Sequence, residues 1–169
     1  MNSFEKEINK SLLKLNIPFV DYGITSSNEI SLEGIFRHPE FPILPQDENS
    51  LFRMASMTKP ITAYLTLAVL NDNRIDLHED VGTYLPEINN LKIAYKEADT
   101  IQYKKNNVAI SFHHLLNCTS GHAYEHHDPL VSELVSKREV SPMKKGDDTF
   151  LKAPLVFSPG SQWGYGISY

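Results

Sequence analysis

The chain has 169 residues, 41% of them apolar and 22% charged, which is enough for a hydrophobic core and unlike the disordered class. Its 16 basic and 21 acidic residues give a net charge of −5, and the basic residues gather only in isolated pairs such as Lys104-Lys105 and Lys144-Lys145, which argues against nucleic acid as a partner. One cysteine, Cys118, excludes a disulfide framework within the chain, and no apolar run approaches the roughly 18 residues of a membrane span.

Met1 to Lys10 carries four charges and no apolar stretch, so a secretory signal is not expected and a cytoplasmic location is the default. Phe4, Ile8, Leu12 and Leu15 fall on one face of a helix, which Pro18 ends. Phe19 to Ile24 and Glu29 to Phe36 are rich in strand formers. Thr25-Ser26-Ser27-Asn28 between them reads as the turn of a β-hairpin. Pro39, Pro42 and Pro45 then predict an extended loop.

Met57 to Leu70 is the most apolar stretch, with apolar residues on nearly all sides. That pattern predicts a helix buried in the domain centre. Pro60 is tolerated only in a first turn, so the helix must begin close to Ser56, and Asn71-Asp72-Asn73 should stop it. Lys92 to Asn107 is polar and reads as surface loop. Ser111 caps a short helix reaching Asn117, and Gly121 to Pro142 reads as irregular or helical. Cys118, in an apolar-flanked run, reads as a small buried side chain, and Phe157-Ser158-Pro159-Gly160 as a turn.

Ser56-Met57-Thr58-Lys59 has the form Ser-x-x-Lys. Residues three apart share a helix face, so a lysine amine at this spacing can reach the serine hydroxyl. A hydroxyl becomes a useful nucleophile once a base takes its proton. The helix N-terminus offers backbone N–H groups and a positive dipole end to a developing oxyanion. The bland alternative makes Ser56 a helix cap and Lys59 a surface charge. Tyr165, in Trp163-Gly164-Tyr165-Gly166-Ile167-Ser168, could relay a proton between Ser56 and a leaving group, or could be a packed aromatic beside a flexible glycine pair. His122 and His126 are four apart and Asp128 follows, a spacing open to metal ligation, but the zinc-protease pattern is absent and Gly121 and Pro129 favour a plain loop. His113 and His114 read as half-buried helix residues.

Together these blocks resemble a family. Leu51-Phe52-Arg53-Met54-Ala55-Ser56-Met57-Thr58-Lys59-Pro60 looks like the nucleophile segment of the β-lactamase-like serine hydrolases, the class that includes class C β-lactamases, esterases and D-peptidases. So do Arg74-Ile75-Asp76-Leu77, Asp80-Val81, Tyr84-Leu85-Pro86-Glu87, Ser111 to Leu116 and Thr119-Ser120-Gly121. Pro154 to Tyr165 matches the family's approach to its catalytic tyrosine. The likeness runs from about Phe52 to Tyr169, with the N-terminal helix and hairpin fitting more loosely.

The resemblance implies an α+β, β-lactamase/transpeptidase-like fold: an antiparallel sheet flanked by helices, beside a helical subdomain. Residues 1–169 would form a partial domain of this kind. It also implies roles. Ser56 would be acylated by an ester or amide, Lys59 and Tyr165 would share the proton work, and the Ser56 N–H would form half of an oxyanion hole. No cofactor and no metal is implied. The partner is a small-molecule ester or amide, with neither nucleic acid nor membrane involved.

Two departures shape the expectation. Ile167 stands where the family's β-lactamases and D-peptidases carry asparagine, which favours an esterase or acyltransferase. The sequence also stops before the family's Lys-Thr-Gly-like strand, which supplies the second oxyanion N–H. Losing one oxyanion donor typically costs a hundredfold or more in rate. The sheet is therefore expected to be incomplete. The competing reading is an inactive truncated remnant, or a fragment that needs a complementing C-terminal segment.

Overall fold

A computed structural model describes residues 3–41, 47, 49–142, 145 and 148–168. Pro42, Pro45 and Lys144 lie outside the described residues. The chain forms two compact units, Met1–Met54 and Ala55–Tyr169.

The first unit contains helix α1 (Ser3–Lys14) and strands β1 (Phe19–Thr25) and β2 (Ile30–Arg37). The expected helix and hairpin are both present. Asn16 ends the helix region in the left-handed conformation (φ 55°), with Ile17 N–H closing back on the Leu12 carbonyl at 3.1 Å. Asparagine tolerates this conformation better than most residues, and Pro18 then blocks any continuation. The strands pair antiparallel, with Phe19 opposite Arg37 and Gly23 opposite Glu33. Val20, Tyr22, Leu32 and Phe36 take the shielded side, whereas Asp21, Glu33 and Arg37 are exposed. That alternation is what a one-faced hairpin requires.

The second unit opens with a 3₁₀ turn (Ala55–Met57) that runs into helix α2 (Thr58–Asn73). Pro60 sits in the first turn of α2, where a missing N–H costs nothing. The helix runs through Asn71-Asp72-Asn73 and ends on Arg74, which is left-handed (φ 55°). One expectation is overturned here. Within α2 only Lys59 and Leu70 are buried, and Tyr64 (72%), Leu65 (56%) and Val69 (57%) stand in solvent. Apolar residues distributed around a helix indicate that several faces want cover, and they do not identify what provides it.

The core of this unit joins Val81, Ile88, Leu91, Ile93, Ile110 and Leu155. Strands β3 (Lys92–Glu97) and β4 (Thr100–Lys105) form an antiparallel hairpin where a surface loop was expected. Its signal is hidden in two ways. Ile93 and Ala94 are adjacent and both buried, so no period of two shows. The turn is Ala98-Asp99, with Ala98 at φ 52°, in place of the asparagine-glycine pair that usually marks such turns. Residue Leu155 then lies alongside β3, its N–H donating to the Lys92 carbonyl (2.9 Å) and its carbonyl accepting from Ala94 N–H (2.8 Å).

Helix α3 (Phe112–Leu116) starts as expected at Ser111. Its hydroxyl accepts from His114 N–H (3.3 Å) while the His114 ring accepts from Ser111 N–H (3.2 Å). This is a capping box with histidine in the usual glutamate place. Helix α4 (Pro129–Ser136) is capped by Asp128, whose carboxylate accepts from Leu130 and Val131 N–H. Glu133 on α4 binds Lys137 (2.7 Å) and Lys96 of β3 (3.0 Å). No helix among the described residues is long and apolar enough to cross a membrane.

Candidate active site

Ser56 lies in the 3₁₀ turn that leads into α2 and is exposed to solvent. The residue before it, Ala55, is left-handed at φ 46°. That conformation costs a side-chain-bearing residue roughly 1–2 kcal/mol. Such strain gathers where a backbone must present a reactive group. The N-cap of α2 is Met57, without a side-chain cap hydrogen bond, so the α-helix cap reading of Ser56 does not describe this turn.

One turn further on, Lys59 is buried (8% exposed). Its Nζ donates to the Gly166 carbonyl at 3.2 Å and to the Tyr124 hydroxyl at 3.5 Å. It also stands 5.4 Å from the centre of the Tyr165 ring and 5.7 Å from that of Tyr124. The two tyrosine rings meet edge to face, their centres 5.6 Å apart. A buried lysine amine held by a carbonyl, a hydroxyl and two aromatic rings has a fixed place in the structure. Lys59 and Tyr165 are thus brought together, with Ser56 three residues before Lys59.

Tyr124 is the residue that sequence reasoning missed. No spacing rule singles it out, because it sits in an irregular stretch after the Thr119-Ser120-Gly121 block. Only the packing of that stretch against the Tyr165 segment reveals it. His126 stacks on Tyr124 at 5.0 Å, and His127 meets the edge of Tyr165 at 5.4 Å. His126 and His127 are exposed turn residues, whereas His122 is buried and bonded to Ser120. Among the described residues no group of three or more His, Cys, Asp or Glu side chains could hold a metal ion.

The Tyr165 segment has no regular secondary structure and is tied down by the segment before Tyr124. Gly160 N–H donates to the Thr119 carbonyl (2.8 Å) and Gly164 N–H to the Cys118 carbonyl (2.9 Å). Gly166 packs so closely that a Cβ there would collide with the His122 carbonyl. Gly121, at φ +93°, turns the chain beneath the Phe157 carbonyl, again with no room for a side chain. A cavity of about 400 Å³ adjoins Tyr165, lined also by His127, Asp128, Phe157 and Trp163. That volume falls within the usual range for small-molecule sites.

Burial pushes the His122 ring pKa down to about 4 from 6.5. A buried neutral histidine stabilises the fold fully above pH 6.5, and that contribution is lost as the pH falls towards 4, because only the unfolded chain takes the proton. We expect the urea midpoint to drop over this window by the equivalent of about 3 kcal/mol. The curve should be flatter for His122→Asn, as read by unfolding at stepped pH.

Comparison with known proteins bears on this geometry. The Beta-lactamase family model matches residues 39–167. Esterase EstB of Burkholderia gladioli is 31% identical over 132 residues, covering 73% of this chain and 31% of the esterase. Monacolin J acid methylbutanoyltransferase of Aspergillus terreus is 30% identical over 119 residues, covering 69% of this chain and 29% of the transferase. The solved structure of simvastatin synthase (LovD) from Aspergillus terreus superposes with a TM-score of 0.74 at 25% identity, covering 97% of this chain and 43% of LovD. The chain belongs to the beta-lactamase family and has the beta-lactamase-like fold. It spans 29% to 31% of the length of these curated relatives.

Proposed function

We propose that this chain carries the nucleophile-bearing part of a serine hydrolase or acyltransferase acting on small esters through an acyl-enzyme on Ser56. The observation that carries the reading is Lys59: buried, one turn after Ser56, and set between Gly166, Tyr124 and Tyr165. In this scheme the Ser56 hydroxyl attacks the ester carbonyl carbon and gives its proton to the Lys59–Tyr165 pair. The carbonyl oxygen takes up the negative charge near the Ser56 N–H. The carbon–oxygen bond to the leaving alcohol then breaks, and the alcohol leaves with the proton. Water or an acceptor alcohol repeats the sequence in reverse and frees the serine. The cavity beside Tyr165 would receive the acyl or leaving group.

Ile167 follows Tyr165 by two residues and lines a small cavity with His122, so no side-chain amide from that position is offered to a substrate. The reading therefore favours esters over β-lactams and D-peptides. With p-nitrophenyl butyrate we expect a burst of nitrophenol followed by slow turnover, and no comparable hydrolysis of a chromogenic β-lactam. A β-lactam preference would overturn the substrate assignment. Cytoplasmic action is part of the proposal.

A partner-dependent form of the same function is favoured by the exposed apolar face of α2, formed by Ile61, Leu65 and Val69. Exposed apolar surface of this kind marks an interaction site. The occupant we propose is the portion of the beta-lactamase fold that LovD has beyond the 43% covered here, supplied as a complementing segment that also brings the second oxyanion donor.

A further inference from the structure

Three buried polar side chains form a chain behind the tyrosine segment. Ser168 Oγ lies 3.0 Å from Ser120 Oγ, and Ser120 Oγ lies 3.0 Å from His122 Nδ1. All three residues are buried, Ser120 completely. Burying polar groups is costly unless each is bonded, and an apolar trio would fill the same space more cheaply. What a buried polar chain adds is a fixed geometry.

That geometry lies next to the proposed site. Ser168 is three residues past Tyr165, and Gly166 between them presses on the His122 backbone while its carbonyl holds Lys59. The upstream side of Tyr165 is secured by the backbone bonds of Gly160 and Gly164. The downstream side is secured by the serine–serine–histidine chain. The chain works in either proton direction: Nδ1–H can donate to Ser120, which donates to Ser168, or the order can be reversed. In both cases the His122 atom that matters is Nδ1. Among the described residues its Nε2 has no hydrogen-bond partner, so the ring is held through Nδ1.

We propose that His122 is a positioning residue for the acyl-transfer site, acting through Ser120 and Ser168 to hold the downstream flank of Tyr165 and keep the Gly166 carbonyl on Lys59. Its catalytic consequence rests on the Ser56 reading above, whereas the clamp itself does not.

The test separates a hydrogen-bonding role from a space-filling one. Asn places a polar atom where His carries Nδ1, whereas Gln places one nearer Nε2 and Leu offers none. Two quantities are read on the full chain: the rate at which a fluorophosphonate labels Ser56, and hydrogen exchange in the peptide spanning residues 160–168. We expect His122→Leu and His122→Gln to slow labelling about tenfold or more, as small misplacements near a reacting centre do. Exchange in that peptide should rise in both. His122→Asn should stay near the parent in both readouts. Ser168→Ala, which removes one hydroxyl, should behave like His122→Leu and covers the case in which a His122 variant fails to fold. Equal behaviour of Asn, Gln and Leu, or unchanged exchange in Ser168→Ala, would overturn the proposal. If the parent itself is not labelled, the Ser56 reading fails, and the exchange pattern alone decides whether His122 clamps the segment.

Discussion

Lys59→Ala should slow acylation of Ser56 by about 10²–10⁴-fold, the range typical for loss of a positioned general base or acid. Two features concentrate the effect on this residue. The amine is buried, and the Gly166 carbonyl, the Tyr124 hydroxyl and the Tyr165 ring converge on it. Lys59→Arg should not rescue, because a planar guanidinium does not fit the space of a compact amine and stays protonated, so it cannot take the serine proton. Tyr165→Phe should also slow acylation, since the ring packing would remain while the proton-carrying oxygen is lost. The check is the single-turnover labelling rate of each variant. A Lys59→Ala protein labelling at the parent's rate would remove lysine from the chemistry.

Leu155→Ala should cost about 2–5 kcal/mol of stability, the range for emptying a packed core position. Leu155 is fully buried and joins the central apolar cluster, while its backbone adds a rung to β3. The residues between it and Tyr165 depend on that anchorage, so the site should loosen along with the core. Leu65→Ala provides the contrast: it removes the same atoms from α2, but Leu65 is exposed in this chain. Its cost should be within about 0.5 kcal/mol, as for ordinary surface positions. Urea unfolding of both variants reads the difference. A large loss from Leu65→Ala would mean that α2 is already covered.

Much of this arrangement is legible in the residues themselves. The apolar spacing of α1, the turn between β1 and β2, the Ser111 cap and the placement of Pro60 are local signals, and local signals survive folding. Ser56, Lys59 and Tyr165 were singled out by motif spacing and by resemblance. The misses have physical reasons. The β3–β4 hairpin has neither a clean alternation nor a glycine turn, and Leu155, far along the chain from the Lys92–Ala94 stretch it pairs with, supplies part of its cover. Tyr124 and the Ser120–His122–Ser168 chain depend on two irregular segments meeting, and no periodicity records that. The exposure of α2 could not be read because apolar composition reports a need for cover and not its source.

The most direct test of Ser56 as an activated nucleophile is the intact mass of the chain after exposure to a fluorophosphonate, beside Ser56→Ala. The account predicts one adduct on the parent, located in the peptide containing Ser56, and none on the variant. An unlabelled parent, or an adduct that persists in Ser56→Ala, would contradict it.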